Sequence, residues 1–301
     1  MAPISTFLHH HSKLLPCLMF RLLFWIIFFT LTLPLGGCFR KYRMTEKDID
    51  GYYQTHGPRP KSHFLNIGKH RLHWVQTGPD SLPLLLMIHG APGAWYGYKN
   101  LLSDPDLLYQ YTLASVDRPG YNLSRKGGKV LSIEAQGELI AAIFRSDTVR
   151  PVFLLGRSYG APIAAYLAAR FPQQVKGLML VAPAADPDRE RFWWFSPLVQ
   201  YPPIRWLLPQ PVRTASSEKY AHCRQLRNLQ SCWGEIICPT HILQGGKDFI
   251  VHPANSCFVD SMMVSAPRLN RILPLNGHLI TVENPGLVKE LLLGLRKGEL
   301  R

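Results

Sequence analysis

The chain has 301 residues, 47 % of them hydrophobic, enough for one large domain or two small ones with a full core. Its 34 basic and 20 acidic residues give a formal charge of +14. The cations are scattered, without the striping and aromatic interleaving that nucleic acid requires, which leaves a solvated basic surface or one that adheres to an anionic membrane.

The first predicted element is a leader. Leu22 to Leu35 is an apolar run of fourteen residues, and the uncharged stretch continues through Gly36-Gly37-Cys38 to Phe39. That length is marginal for a membrane span and comfortable for a signal-peptide core. The ending Leu35-Gly36-Gly37-Cys38 resembles the lipobox of bacterial lipoproteins, in which small residues admit the peptidase and the cysteine, here Cys38, receives the lipid. A start at Met19 would give this signal ordinary length. Against export, Arg40, Lys41 and Arg43 outnumber Lys13 and Arg21 across the run, contrary to the positive-inside tendency. Residues 1–38 are therefore expected to be a cleaved lipoprotein signal at the cell envelope, with an uncleaved single-span membrane anchor as the alternative. Residues 39–61, polar and containing Gly51, Gly57, Pro58 and Pro60, read as a tether.

The body is expected over 62–297. His63–Ile67 and His70–Gln76 read as an antiparallel hairpin about Gly68-Lys69, at a sheet edge. From Leu84 the pattern changes to buried strands alternating with helices. Strands are expected at Leu84–Ile88, Tyr111–Val116, Val152–Leu155, Gly177–Val181, Thr240–Leu243 and Arg271–Leu273. Helices are expected at Ser132–Phe144, after Gly160, at Pro253–Met263 and at Pro285–Leu295. Such alternation predicts an α/β fold with a doubly wound, mainly parallel sheet, whose ligands bind beyond the carboxyl ends of the strands. Residues 184–236, rich in proline and carrying Phe192, Trp193, Trp194, Phe195, Tyr201, Trp206 and Trp233, cannot belong to the sheet. They read as a helical cap inserted before the penultimate strand, most of its aromatics gluing it to the core and a few lining an apolar pocket. Cys223, Cys232, Cys238 and Cys257 could form disulfides in an exported chain or remain free thiols, and no C-x-x-C spacing suggests metal.

Chemistry is expected in the loops after the strands. Gly156-Arg157-Ser158-Tyr159-Gly160 joins a strand to a helix, a turn that strains the backbone and exposes the Ser158 hydroxyl. A serine needs a base, itself oriented by a third group. The later loops offer Gly245-Gly246-Lys247-Asp248 and Asn276-Gly277-His278, with Asp186 a second candidate for the acid. Oxyanion donors are expected from the N–H groups of Tyr159 and of Ala91 in His89-Gly90-Ala91-Pro92-Gly93. His89 reads as structural, and so does Asp117-Arg118-Pro119-Gly120-Tyr121, whose Asp–Arg pair would pin a loop.

Together these five motifs resemble the α/β-hydrolase superfamily over about residues 62–297. The resemblance implies a Ser158–His278–Asp248 triad, an acyl-enzyme, and neither cofactor nor metal. A serine at the elbow departs from the epoxide-hydrolase and haloalkane-dehalogenase branches, which carry aspartate there, and Arg157 and Tyr159 depart from the proline iminopeptidases. The expected activity is hydrolysis of carboxylic esters of apolar acyl or aryl substrates at a membrane. Amide, thioester or carbon–carbon cleavage by the same triad is the alternative, and a catalytically silent ligand-binding protein is the reading from another class.

Overall fold

The computed structural model describes residues 44–192 and 196–300. The leader with Cys38, and Trp193, Trp194 and Phe195 of the cap, lie outside these residues. Among the described residues no helix is long and apolar enough to cross a membrane. The chain divides into two units, Met1–Tyr52 and Tyr53–Arg301.

At the boundary stands helix α1 (Glu46–Tyr53), within the stretch that reads as a tether. Its origin is local. Thr45 Oγ1 accepts from the Asp48 N–H at 3.2 Å, while Asp48 Oδ2 accepts from the Thr45 N–H at 2.8 Å. This reciprocal capping box across three residues starts a helix that glycine and proline nearby had disguised.

The second unit is built on eight strands: β1 (Lys61–Ile67), β2 (His70–Thr77), β3 (Leu84–Ile88), β4 (Thr112–Asp117), β5 (Val152–Arg157), β6 (Val175–Val181), β7 (Thr240–Gly245) and β8 (Arg268–Leu273). Their order in the sheet is β1-β2-β4-β3-β5-β6-β7-β8. The β1–β2 hairpin and its join to β4 are antiparallel, and every other pairing is parallel. Central β3, Leu-Leu-Leu-Met-Ile, is wholly buried. A strand covered on both faces needs such an unbroken apolar run, and each of these side chains contributes roughly 1.5–3 kcal/mol by leaving water. The doubly wound sheet expected from the alternating pattern is what forms.

Two helical layers flank it. One packs α4 (Ile133–Ala141), α5 (Gly160–Arg170), α9 (Gln230–Glu235) and α10 (Ala254–Met262) together. The other holds α2 (Lys99–Leu102), α3 (Pro105–Gln110) and α12 (Pro285–Arg296). Caps set the helix starts: Ser132 Oγ accepts from the Ala135 N–H at 3.1 Å at the head of α4. Asp104 does the same for α3, with Pro105 in the first turn.

Between β6 and β7 the chain forms α6 (Ser196–Gln200), α7 (Pro202–Leu207), α8 (Gln210–Asn228) and α9. The expectation that cap aromatics act as glue holds for Trp233, which is buried in the core, but not for Tyr201 and Trp206, which are 60 % and 73 % exposed. Helices α6 and α7 bury no side chain. Polar contacts hold them: Arg205 reaches Gln200 Oε1 at 2.9 Å and Ser217 Oγ at 2.9 Å. The four body cysteines are free thiols.

Candidate active site

The strand order fixes where a site can form. From β3 the chain goes to β4 on one side and then crosses to β5 on the other, so the loops after β3 and β5 diverge and leave a crevice. Those loops are His89–Gly93 and the elbow at Ser158.

Ser158 has φ +54°, a left-handed conformation that costs a side-chain-bearing residue free energy and persists because its surroundings hold it. Its N–H donates to Val181 O at 2.9 Å and its carbonyl accepts from the Ala161 N–H at 3.0 Å. Gly160 lets the start of α5 press against β3, since a Cβ there would collide with the Ile88 carbonyl oxygen. The serine is thereby lifted to the crevice floor, where it borders a cavity of about 310 Å³ together with Ala91 and Tyr159. Neither the Ala91 N–H nor the Tyr159 N–H donates to an acceptor among the described residues. Two free backbone donors beside one hydroxyl can receive the oxygen of a carbonyl under attack.

The candidate acid and base follow β7 and β8, at the far edge of the sheet. His278 Nδ1 lies 2.7 Å from Asp248 Oδ2. Asp248 Oδ1 accepts from the N–H groups of Ile250 at 2.9 Å and Val251 at 2.8 Å, and Gln244 Nε2 donates to Oδ2 at 3.1 Å. Burial alone would raise this carboxyl's pKa, but the hydrogen bond and charge of His278 and the two backbone donors together leave it below its ordinary value. The loops that carry the pair are pressed together at Gly245, where any Cβ would meet Gly277. Lys247 N donates to Asn276 O at 3.0 Å. Glu283, at the end of α11 (Ile280–Glu283), accepts from the Gly277 N–H at 2.8 Å and so aims the loop of His278. Ser158 Oγ makes no hydrogen bond among the described residues, and the serine–histidine link that a triad requires is not among the contacts formed.

Asp186, the second candidate acid, is engaged elsewhere. Its carboxylate accepts from the Asp188 N–H at 2.9 Å and pairs with Arg189 at 3.4 Å. His89 is fully buried, donating from Nδ1 to Gly90 O at 2.7 Å and accepting the Arg118 N–H on Nε2 at 3.0 Å. Burial and the Arg118 charge push its pKa well below the usual imidazole value. It is a loop clamp, without a free nitrogen for chemistry.

The Asp117–Arg118 pair anticipated from sequence does not form. Successive residues at a strand end point to opposite sides. Asp117 accepts from His73 Nδ1 at 2.7 Å and from the Trp95 N–H at 2.9 Å. Arg118 points toward the cap and forks onto Glu218 of α8, at 2.7 Å and 3.0 Å. Gln136 and Tyr121 also donate to Glu218, at 3.1 Å and 2.5 Å. The guanidinium sits 4.6 Å from the ring centres of both Tyr121 and Tyr159.

Above the serine the cap adds groups that sequence reading missed. The walls are mixed, with Val199, Val212, Ala215, Ile250 and Val251 on one hand and Glu190, Arg191, Lys219 and His222 on the other. His222 Nδ1 meets Glu190 Oε1 at 2.6 Å, and its ring stacks on Tyr159 at 4.5 Å between centres. Burial would raise the Glu190 carboxyl, but His222 and Lys219 hold it at about 2, so it is ionised at neutral pH. Among the described residues Tyr220 lines the cavity, an aromatic that the sequence reading did not single out. Helical spacing from Lys219 to His222 is the signal that could have marked this wall.

A family model for the alpha/beta hydrolase fold matches residues 83–230. Epoxide hydrolase 1 of Caenorhabditis elegans is 32 % identical over 120 residues, 39 % of this chain and 29 % of that protein. The pimeloyl-acyl-carrier-protein methyl ester esterase of Neisseria meningitidis is 34 % identical over 106 residues, 35 % of this chain and 38 % of that protein. The chain thus matches less than half the length of either relative. A bacterial membrane phospholipase A has a similar structure, with a TM-score of 0.62 at 22 % identity, over 95 % of this chain and 99 % of that one. Carboxylesterase CesB of Bacillus subtilis gives 0.59 at 17 %, over 84 % and 96 %. At such identities these two likenesses are of fold alone.

Proposed function

We propose that this chain, which belongs to the α/β-hydrolase superfamily, is a serine hydrolase that cleaves carboxylic esters through an acyl-enzyme. The observation that carries the reading is the elbow serine itself. Were the nucleophile a carboxylate, opening an epoxide would leave an ester that water could cleave. A serine attacking an epoxide carbon would leave an ether with no carbonyl to attack, and the enzyme would stop after one turnover. A serine that attacks an ester carbonyl instead leaves an acyl-enzyme, which water releases.

In the proposed cycle His278 Nε2 takes the proton from Ser158 Oγ as the oxygen bonds to the ester carbon. The carbonyl electrons move onto oxygen, which the Ala91 and Tyr159 N–H groups receive. Collapse of the adduct breaks the ester bond, and the departing alkoxide takes the proton from His278. Water then repeats both steps on the acyl-enzyme, releasing the acid and restoring the serine. Asp248 holds Nδ1 protonated throughout, so that Nε2 is free to accept. The acyl or aryl part would lie against Val199, Val212, Ala215, Ile250 and Val251, which supports an apolar substrate on that wall.

A fluorophosphonate probe should label the wild-type chain at Ser158 and leave Ser158→Ala unlabelled, and wild type should cleave p-nitrophenyl esters of graded chain length but not styrene oxide. Folded wild type that neither labels nor cleaves any ester ends the proposal.

The N-terminus belongs to the same proposal. The apolar run closing on Gly36-Gly37-Cys38 supports attachment to the cell envelope through a lipid on Cys38. Mass spectrometry of the mature N-terminus should find an acylated Cys38; an intact run from Leu22 to Leu35 excludes it.

A further inference from the structure

A second cavity, of about 320 Å³, opens where the loop after Tyr121 meets the start of α8, and it shares no lining residue with the cavity of Ser158. Its walls carry Arg125, Lys129, Arg205 and Arg213, with Gln210 and Thr214 beside them. Among the described residues no carboxylate pairs with any of the four cations. Their partners are neutral: Arg125 Nε donates to Asn122 O at 2.8 Å, and Lys129 Nζ and Arg205 Nη2 share the single Ser217 hydroxyl at 2.8 Å and 2.9 Å. Arg213 Nε is shielded from solvent with no partner at all.

This arrangement inverts the usual rules for a helix start. The N-terminus of α8 carries the positive end of a nineteen-residue helix, yet its first turn has no acid and its cap residue offers no side-chain acceptor. Positive charge at that end of a helix is unfavourable, and holding Lys129 and Arg205 on one oxygen adds repulsion. The Arg205 charge, after burial, indeed lowers the Lys129 pKa. A chain that breaks local rules repeatedly in one place, with nothing in the fold to offset them, marks a site that something else completes.

We propose that this cavity binds a phosphate-bearing ligand. Guanidinium forks and a helix N-terminus both suit tetrahedral oxyanions. A phosphate presents enough oxygens and charge to engage several cations at once, whereas a monocarboxylate offers two oxygens. The volume equals the share of about ten waters, room for the phosphate and part of the group it esterifies. Beside the cavity α7 exposes Trp206 and Leu207, so the phosphate can come from a lipid headgroup as readily as from a small soluble ester.

Calorimetric titration of the full chain with inorganic phosphate and with glycerol phosphate tests the soluble source. Co-sedimentation with phosphatidylcholine vesicles, with and without phosphatidic acid, tests the lipid. Wild type should bind at least one of these probes. Arg205→Gln/Arg213→Gln should weaken that binding by about tenfold or more and make what remains less sensitive to salt. The double variant also loses the contacts by which Arg205 holds α6 and α7, so its weakened binding is read beside gentler changes. The single changes Arg125→Gln and Lys129→Gln, at exposed positions, should act in the same direction. Binding that survives the double substitution, or wild type that binds none of the probes, overturns the site. Because the readout is binding, it stands or falls apart from ester hydrolysis.

Discussion

Asp248→Asn should lower kcat on a p-nitrophenyl ester by about 10⁴-fold with little change in KM, if the proposed triad operates. The reason lies in the two faces of this side chain. Oδ1 is committed to the Ile250 and Val251 N–H groups, which an amide oxygen can still satisfy. The amide NH2 would then face His278 Nδ1, now 2.7 Å from a carboxylate oxygen. Donor would oppose donor, so the imidazole proton moves to Nε2, the atom that must accept from Ser158. Steady-state kinetics beside Asp186→Asn makes the comparison. The latter loses only an ion pair with Arg189, since an amide oxygen still accepts from the Asp188 N–H, and should keep kcat within a few-fold. The reverse ranking would move the acid to Asp186.

Glu218→Ala is expected to cost about 3–5 kcal/mol, because it leaves Arg118 fully buried and without an anion. For a domain of this size that is a fall in melting temperature of roughly 6–20 °C. Burial would lower the Arg118 pKa, yet Glu218 more than offsets it and raises it, so the guanidinium cannot escape by losing its proton. The hydroxyl of Tyr121 and the amide of Gln136 lose an acceptor as well. The double substitution Arg118→Met/Glu218→Leu should recover most of the loss, since both charges leave together. Thermal melts of the two variants decide. A single variant as stable as wild type would mean that solvent reaches the pair.

The difference between what could and could not be read from sequence is one of range. Each inner parallel strand announces itself by its own buried run, edge β8 being only partly covered, and Gly160 and Gly245 mark places where only a bare backbone fits, so most of the sheet and the loops of Ser158, Asp248 and His278 are legible locally. Glu218 lies in the middle of a polar helix with nothing near it to say that its partner is Arg118, one hundred positions earlier. The side chains of Glu190 and His222, and the cations Arg125 and Arg213, come together only because the cap folds back over the sheet. Apolar aromatics drew attention in that segment, where Trp233 does join the core, while polar side chains fasten its outer helices α6 and α7. The helix over Glu46–Tyr53 was legible in Thr45 and Asp48, and the glycines around it obscured it.

The strand order also carries an order in time. As the chain leaves the ribosome, the elbow with Ser158 appears early and can settle among β3, β5 and β6, the middle of the sheet. His278 follows β8, the last strand, which joins the sheet through β7 alone. Until that strand docks, the chain holds a strained nucleophile with no base to activate it. The last strand of the chain therefore also carries the candidate base, so the sheet has to be complete before Ser158 can meet His278.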